Sequence, residues 1–444
     1  MKKRWKLAIF AAALTLLLAL GAGAAQEEGV SVQVRDGYSC AYGISVPFTR
    51  SPRTREYTFT IYPGEAAAGE PEVTADVTIK PAGTTTVYLP LRYDPVAPGS
   101  WTLTITAHVE EQRTGLDREA SFTETFTTRP TCGCAAGTKG AFYAGDGSEG
   151  SPFRVATPDQ LNHVRVHNER CYRQIADLDF AGWGDFMPIW PNASLSANHA
   201  VAYGGFIGTY DGGGHILKNL RVVSAPLGPV YSLPDYDGYT TSLFVGRDMR
   251  LYNLGMDASC TVTSKEVYIG SLVSSPGMMD SVVEIERCYS AAALTVPEGF
   301  TNYAGGVVGL VTGRALMKDC FFAGSLYSPK RCSGLMDQVR DDTSSMSSSY
   351  NIGSIVGSTV KRDGLWSYAY DHTVPTAASF SVSTWPTVHG TNLEPSGFSA
   401  LGTFSAWDFD SVWRMGEVTR RTSAGGTETV QAPVLRVFDD PLDS

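Results

Sequence analysis

Charge is what this chain has least of. Only 18% of its 444 residues are Asp, Glu, Lys or Arg, and 35 basic residues face 45 acidic ones, for a formal charge of −10. A nucleic-acid partner is therefore not expected, because a phosphate backbone needs a basic surface. Cysteine is sparse too: the eight, at 40, 132, 134, 171, 260, 288, 320 and 332, are too few for a disulfide scaffold of this length. Cys132-Gly133-Cys134 is tighter than the usual zinc hook, and no adjoining pair completes four ligands, so no metal site is expected there. The seven His, at 108, 163, 167, 199, 215, 372 and 389, show no His-Glu-x-x-His spacing. His163 and His167 stand four apart where a short helix is expected and have the spacing to share a metal, but they read as an ordinary surface pair. A Gly-x-Ser-x-Gly elbow and a phosphate-cradling Gly loop are absent as well. No catalytic residue is nominated and no cofactor is implied.

What is abundant is turn chemistry and apolar surface. The 46 Gly and 24 Pro, with 43% hydrophobic residues, favour strands joined by tight turns over solvated helices, and the length calls for two domains. At the N-terminus Lys2, Lys3, Arg4 and Lys6 precede an apolar run from Leu7 to Leu20 and the small residues Ala22-Gly23-Ala24. That is the order of a secretory signal peptide, 1–25, and the run is shorter than the roughly 20 residues of a membrane span. Its cleavage removes four cations and takes the formal charge from −10 to −14. An extracellular setting follows, secreted or associated with a cell surface, with no transmembrane segment.

Residues 29–130 alternate with a period of two. Tyr57, Phe59 and Ile61 are interleaved with Thr, as are Leu103 and Ile105 and then Phe122 and Phe126, and Pro63-Gly64, Pro81-Ala82-Gly83 and Pro98-Gly99 punctuate them. Short antiparallel strands at this density pack as an immunoglobulin-like sandwich, read here as a spacer. The small-residue stretch at 131–139 reads as a linker.

Beyond it, five apolar clusters closed by a small residue recur around Phe206, Leu243, Leu272, Val307 and Ile355, each followed by a second apolar strand. Their closing positions, 208, 246, 274, 309 and 357, give intervals of 38, 28, 35 and 48. A steady unit with variable loops is how a solenoid behaves, each coil burying its apolar face on the next. The five clusters are expected to lie one above another.

These repeats resemble the GLUG-motif family of bacterial secreted proteins. Gly145-Asp146-Gly147-Ser148-Glu149-Gly150-Ser151-Pro152-Phe153 is similar to the family's opening turn and strand, and Thr157-Pro158-Asp159-Gln160-Leu161 to its short helix, with Thr157 as N-cap. Tyr172 to Phe180 and Phe206-Ile207-Gly208-Thr209-Tyr210-Asp211-Gly212-Gly213-Gly214 match its next strands, with Ser for Gly at Ser242, Ser271 and Ser354 as departures. Trp407 to Trp413 with Pro433-Val434-Leu435 resembles its terminal cap. The resemblance implies a parallel β-helix in an adhesin-like or surface protein and implies no reaction. The expected architecture is all-β: the sandwich, then a right-handed parallel β-helix over 140–438 with one short helix near its start, and an acidic tail at 439–444.

Functional signal concentrates in the loop 225–239. Tyr231, Asp235, Tyr236, Asp237 and Tyr239 offer rings to stack on sugars and carboxylates to accept from hydroxyls. Asp177 and Asp179 read as structural, and Asp211 as bonding its own turn. Cys288 and Cys320 occupy equivalent places in consecutive units and are expected to be adjacent, as a disulfide or as a ladder of thiols. The function expected is a non-catalytic scaffold binding a glycan or a host or cell-surface protein. A polysaccharide lyase or hydrolase on the same fold is the alternative.

Overall fold

The computed structural model describes residues 33–34, 38–40, 43–49, 56–71, 73–78, 84–90, 100–110, 117–127, 130–135, 138–189, 205–223, 240–265, 267–275, 280–297, 303–356, 361–369, 374–439 and 441. The expected signal peptide and the loop carrying Tyr231, Asp235, Tyr236, Asp237 and Tyr239 lie outside them. The chain divides into two compact units, with the boundary after Ala144. No described helix is long and apolar enough to cross a membrane.

The described strands of the first unit are antiparallel. One sheet runs in the order Val73–Thr78, Glu56–Pro63, Ser100–Glu110, Asp117–Thr127, and the other pairs Gly43–Thr49 with Gln33–Val34, Tyr38–Cys40 and Thr84–Pro90. Phe59 lies opposite Ile105 and Ile61 opposite Leu103, and all four are buried, so the alternation in the sequence marks a real inner face. Thr102 breaks the pattern by being buried, and its hydroxyl donates to the Gly64 carbonyl at 2.9 Å.

The second unit is a parallel β-solenoid. In one coil the chain passes through five short walls, Met249–Tyr252, Gly255–Met256, Thr261–Thr263, Tyr268–Ile269 and Val273–Ser275. Stacking of successive coils builds parallel sheets of eight, eight, six, five and five strands. The inward row of wall one is Tyr172, Tyr210, Leu251, Ile285, Met317 and Met346, each in register with the next. Each is replaced one layer on by another bulky apolar group, so the core continues along the axis although no coil has one of its own. The expected helix forms at Pro158–His163. Thr157 accepts from the Gln160 N–H at 3.2 Å, and Pro158 occupies the first turn, where no N–H is needed.

Two expectations need correction. Leu243, Leu272 and Val307 do stack, the Leu243 N–H donating to Ser271 and the Leu272 N–H to Val307, but the row continues through Leu335 and Leu365. Ile355 is on wall three, where Ser354–Ile355 pairs with Leu326 and its neighbour. The 48-residue interval had passed over Gly334-Leu335 and, short of Gly364-Leu365, landed on another wall of the coil. Phe206 is displaced as well, bridging to Gly246 while Ile189 takes the place opposite Phe244.

The second correction concerns the C-terminal aromatics. They clad the flank of the solenoid and do not close its end. On wall two Tyr289, Phe321 and Tyr350 point outward and stack, with ring centroids 4.8 and 5.0 Å apart and interplanar angles of 3° and 9°. A strap formed by the hairpin Trp413–Arg421 and Thr427–Leu435, with the turns before and after it, covers this ladder. Trp413 and Trp407 pack on Tyr350, Phe438 meets Tyr289 edge-on, and the Tyr350 hydroxyl donates to the Pro433 carbonyl at 2.6 Å. The Trp413 indole donates to the Asp319 carboxylate at 3.0 Å. In the last coil the segment after Val382 folds back: Gly364 N–H donates to Pro386 O, Ser381 Oγ to Trp385 O, and the buried Trp385 ring stands edge-on to Phe322. Trp385 is thus the residue that fills the coil near this end.

Walls one and two meet at a left-handed residue. Asn253, Arg287, Asp319, Ser348 and Ala378 hold this corner in consecutive coils, with φ between 45° and 52°. The first four N–H groups donate to carbonyls one coil on at 3.0 to 3.2 Å. A side chain in this region costs roughly 1–2 kcal/mol. Asn253, Arg287 and Asp319 use theirs in hydrogen bonds, whereas Ala378 has none to offer. Ala378→Gly is expected to raise unfolding stability by about 1 kcal/mol, read from the midpoint in a denaturant titration. Trp413→Ala removes a fully buried indole and strands the Asp319 carboxylate, and is expected to cost about 3–5 kcal/mol in the same titration.

Candidate binding face and the predicted site residues

Because strand side chains alternate, the inward row of wall one leaves an outward row beside it. Register places Arg173, Asp211, Tyr252, Glu286, Lys318 and Ser347 in one file, with Arg250 and Glu284 in the next. Opposite charges in neighbouring coils pair across the ladder. Arg173 grips one Asp211 oxygen at 3.0 and 2.7 Å. The other Asp211 oxygen accepts from the Gly213 N–H at 2.9 Å and from the Asn253 amide at 2.8 Å. Asn253 in turn accepts from Arg287 at 2.7 Å, Arg287 pairs with Glu286, and Lys318 lies 3.6 Å from both Glu286 and Asp319. Tyr252 donates to Glu284 at 2.8 Å, and burial together with that carboxylate raises its pKa. The result is a polar seam running from Arg173 to the Trp413 indole.

The carboxylates of this seam have partners, and this bears on the chemistry open to them. A general acid needs a carboxyl kept protonated near neutral pH. Among the described residues with a resolved shift, Asp146, Asp179, Asp408 and Asp439 are held below their ordinary values mainly by side-chain hydrogen bonds, from Ser148, Asn219, Ser411 and Arg414 respectively. Asp319 alone is raised, by burial, and it is sealed under Trp413. What the face offers is fixed donors and acceptors, suited to hydroxyl-rich or charged ligands.

Asp177 and Asp179 are staples between coils, in keeping with their structural reading. Asp177 accepts from the Ile216 N–H at 3.0 Å and from Lys218 at 2.8 Å, and it lies 3.5 Å from His215. Asp179 accepts from the Asn219 amide at 2.7 Å and from the Ala181 N–H at 2.8 Å. Asp211 bonds its own turn through Gly213, as expected. Cys288 and Cys320 are fully buried free thiols in successive coils, and the Phe321 N–H donates to the Cys288 carbonyl at 3.1 Å. Burial, with the neighbouring Cys288 thiol, pushes the Cys320 pKa well up, and both buried side chains pack as small apolar groups.

His163 and His167 form a close pair, with ring centroids 5.3 Å apart. Burial, with the neighbouring His167, lowers His163 to about 4. The Tyr172 hydroxyl donates to the His167 carbonyl. Arg165, nearly buried between them in sequence, donates to the carbonyls of Met187 and Pro188 at 3.0 and 2.9 Å and fixes the turn. The spacing of the two histidines was visible in the sequence, but the burial of His163 was not. The seam was missed altogether, since Arg173, Asp211 and Asn253 are far apart along the chain and only the coil lengths bring them together.

Burial alone would raise Asp177, but hydrogen bonds from His215, Lys218 and the Ile216 N–H outweigh it and hold the carboxyl well below the usual range. Its contribution is therefore complete above roughly pH 4, the unfolded value, and is lost as pH falls through the lower folded value. Asp177→Asn is expected to flatten this acid limb, measured as unfolding free energy between pH 5 and 2. The amplitude is expected to stay under about 1 kcal/mol, because the side chain is 42% exposed. No known family model matches the chain, and no curated protein or solved structure matches it significantly.

Proposed function

We propose that the chain is a secreted or cell-surface-associated binding protein of the GLUG-motif kind, in which an immunoglobulin-like sandwich precedes a solenoid that engages a glycan or a surface protein without turning it over. The observation that carries this reading is the wall-one seam. It is a file of Arg, Asp, Tyr, Glu and Lys side chains held in place by one another, with no carboxyl among those with resolved shifts that is both raised in pKa and open to a ligand. Such a surface recognises by hydrogen bonding to fixed donors and acceptors. The N-terminal run of basic, apolar and small residues supports export. Tyr231, Asp235, Tyr236, Asp237 and Tyr239 are proposed to add stacking surface to the same activity.

Retention on a glycan array or on a panel of cell-surface proteins, measured together with release of reducing ends, tests the reading. Retention without release is expected. Tyr231→Ala with Tyr236→Ala is expected to weaken retention by about tenfold or more, the loss of two stacking rings. Steady release of reducing ends would instead identify a polysaccharide-cleaving enzyme.

A further inference from the structure

The Cys132-Gly133-Cys134 turn of the first unit holds two free thiols that the binding function does not use. Their Sγ atoms lie within 4.8 Å of each other. Gly133 makes this approach possible, since at φ 76° it adopts a left-handed conformation that a side chain resists. The turn is fixed against the segment that follows it. The Thr131 N–H and hydroxyl donate to the Phe142 carbonyl at 2.7 and 3.1 Å, and the Phe142 N–H donates to Cys132 Sγ at 3.4 Å. Both thiols pack on Ala141 and Tyr143 yet stay partly exposed, and at the exposed Gly133 an added Cβ would meet nothing within 4 Å.

An N–H aimed at sulfur stabilises negative charge there, so of the two sulfurs Cys132 is the one equipped to attack. Cys134, one residue beyond Gly133, stands beside it at a high effective concentration. A disulfide between them would close a loop too short to restrain the unfolded chain much, which makes it a poor staple. Access separates this pair from Cys288 and Cys320, which are fully buried in the second unit.

We propose that Cys132 and Cys134 form a thiol–disulfide exchange site for small disulfides from solution, with Cys132 as the attacking thiolate and Cys134 as the resolving thiol. Cys132 loses its proton to solvent and attacks one sulfur of the external disulfide. That S–S bond breaks, the first thiolate leaves with the bonding pair, and a mixed disulfide forms on Cys132. Cys134, deprotonated in turn, attacks the Cys132 sulfur and expels the second thiolate, and the two leaving thiolates take up the two protons released. The protein pair is thus oxidised by two electrons while one external disulfide is reduced to two thiols. Excess small thiol runs the sequence backwards.

The test holds the full chain in buffers of reduced and oxidised glutathione at set ratios, quenches with acid, alkylates the free thiols and maps the peptides by mass. A Cys132–Cys134 disulfide is expected that forms and is lost reversibly as the ratio changes, with no glutathione on Cys288 or Cys320. Cys134→Ser is expected to accumulate glutathione on Cys132, since nothing resolves the mixed disulfide. Cys132→Ser is expected to take up glutathione on Cys134 about tenfold more slowly. Far-UV circular dichroism confirms that each variant is folded, and the wild-type titration gives a readout free of substitutions. The proposal is overturned if no Cys132–Cys134 disulfide forms at any ratio, if the disulfide persists in fully reduced glutathione, or if the two Ser variants take up glutathione at equal rates.

Discussion

Every coil of the solenoid depends on the next one for its backbone hydrogen bonds. The short walls make few bonds of their own, and the N–H of one layer donates to the carbonyl of a neighbouring layer, as Leu243 does to Ser271, Leu272 to Val307 and Leu335 to Leu365. A buried peptide group left unpaired would cost about as much as a lost hydrogen bond, so register between layers is strongly constrained. Much else in the unit serves that register. The left-handed corners keep walls one and two in phase, and close packing of the corners leaves no room for a side chain at Gly306, where a Cβ would lie 2.1 Å from the Gly334 carbonyl oxygen.

The same dependence makes the outward files of each wall legible as surfaces. Side chains 30 to 40 positions apart in sequence become neighbours about 4.8 Å apart, so a modest excess of opposite charges in successive coils is enough to make a continuous seam. The seam is self-neutralising, and its ion pairs and hydrogen bonds hold its side chains in fixed positions. Fixed groups favour recognition, and the one carboxylate that burial makes more basic, Asp319, is enclosed by the strap.

The period-two alternation of the strands could be read from sequence because one face of each is buried and the other is wet. The adjacency of Cys288 and Cys320 was legible because their coils are of nearly equal length and both follow the same corner, at Arg287 and Asp319. The misplacement of Ile355 has a different origin. In this five-walled coil more than one wall carries an apolar residue next to a small one, as Ser354–Ile355 does on wall three, so such a cluster shows that a coil is present without showing which wall it occupies. Ser333-Gly334-Leu335-Met336 was the better continuation and differs from its neighbours only in phase. The strap was read as a cap because Trp and Phe content reports that a surface is covered, not which one. Its placement rests on contacts such as Trp413 with Asp319, 94 residues apart.

The strap also changes how the solenoid comes apart. A stack with only nearest-neighbour contacts loses its terminal layers one at a time. Here one segment reaches many layers at once: Val437 lies over Gly214, Arg421 donates to the Ala258 carbonyl and its N–H to Ala323, Arg420 donates to Ile352, and Trp407 donates to Ala378. A layer cannot peel away without disturbing bonds that also anchor its distant companions. Opening of these layers therefore has to break strap contacts as well as contacts between adjacent coils, a tie that the repeating architecture alone would not provide.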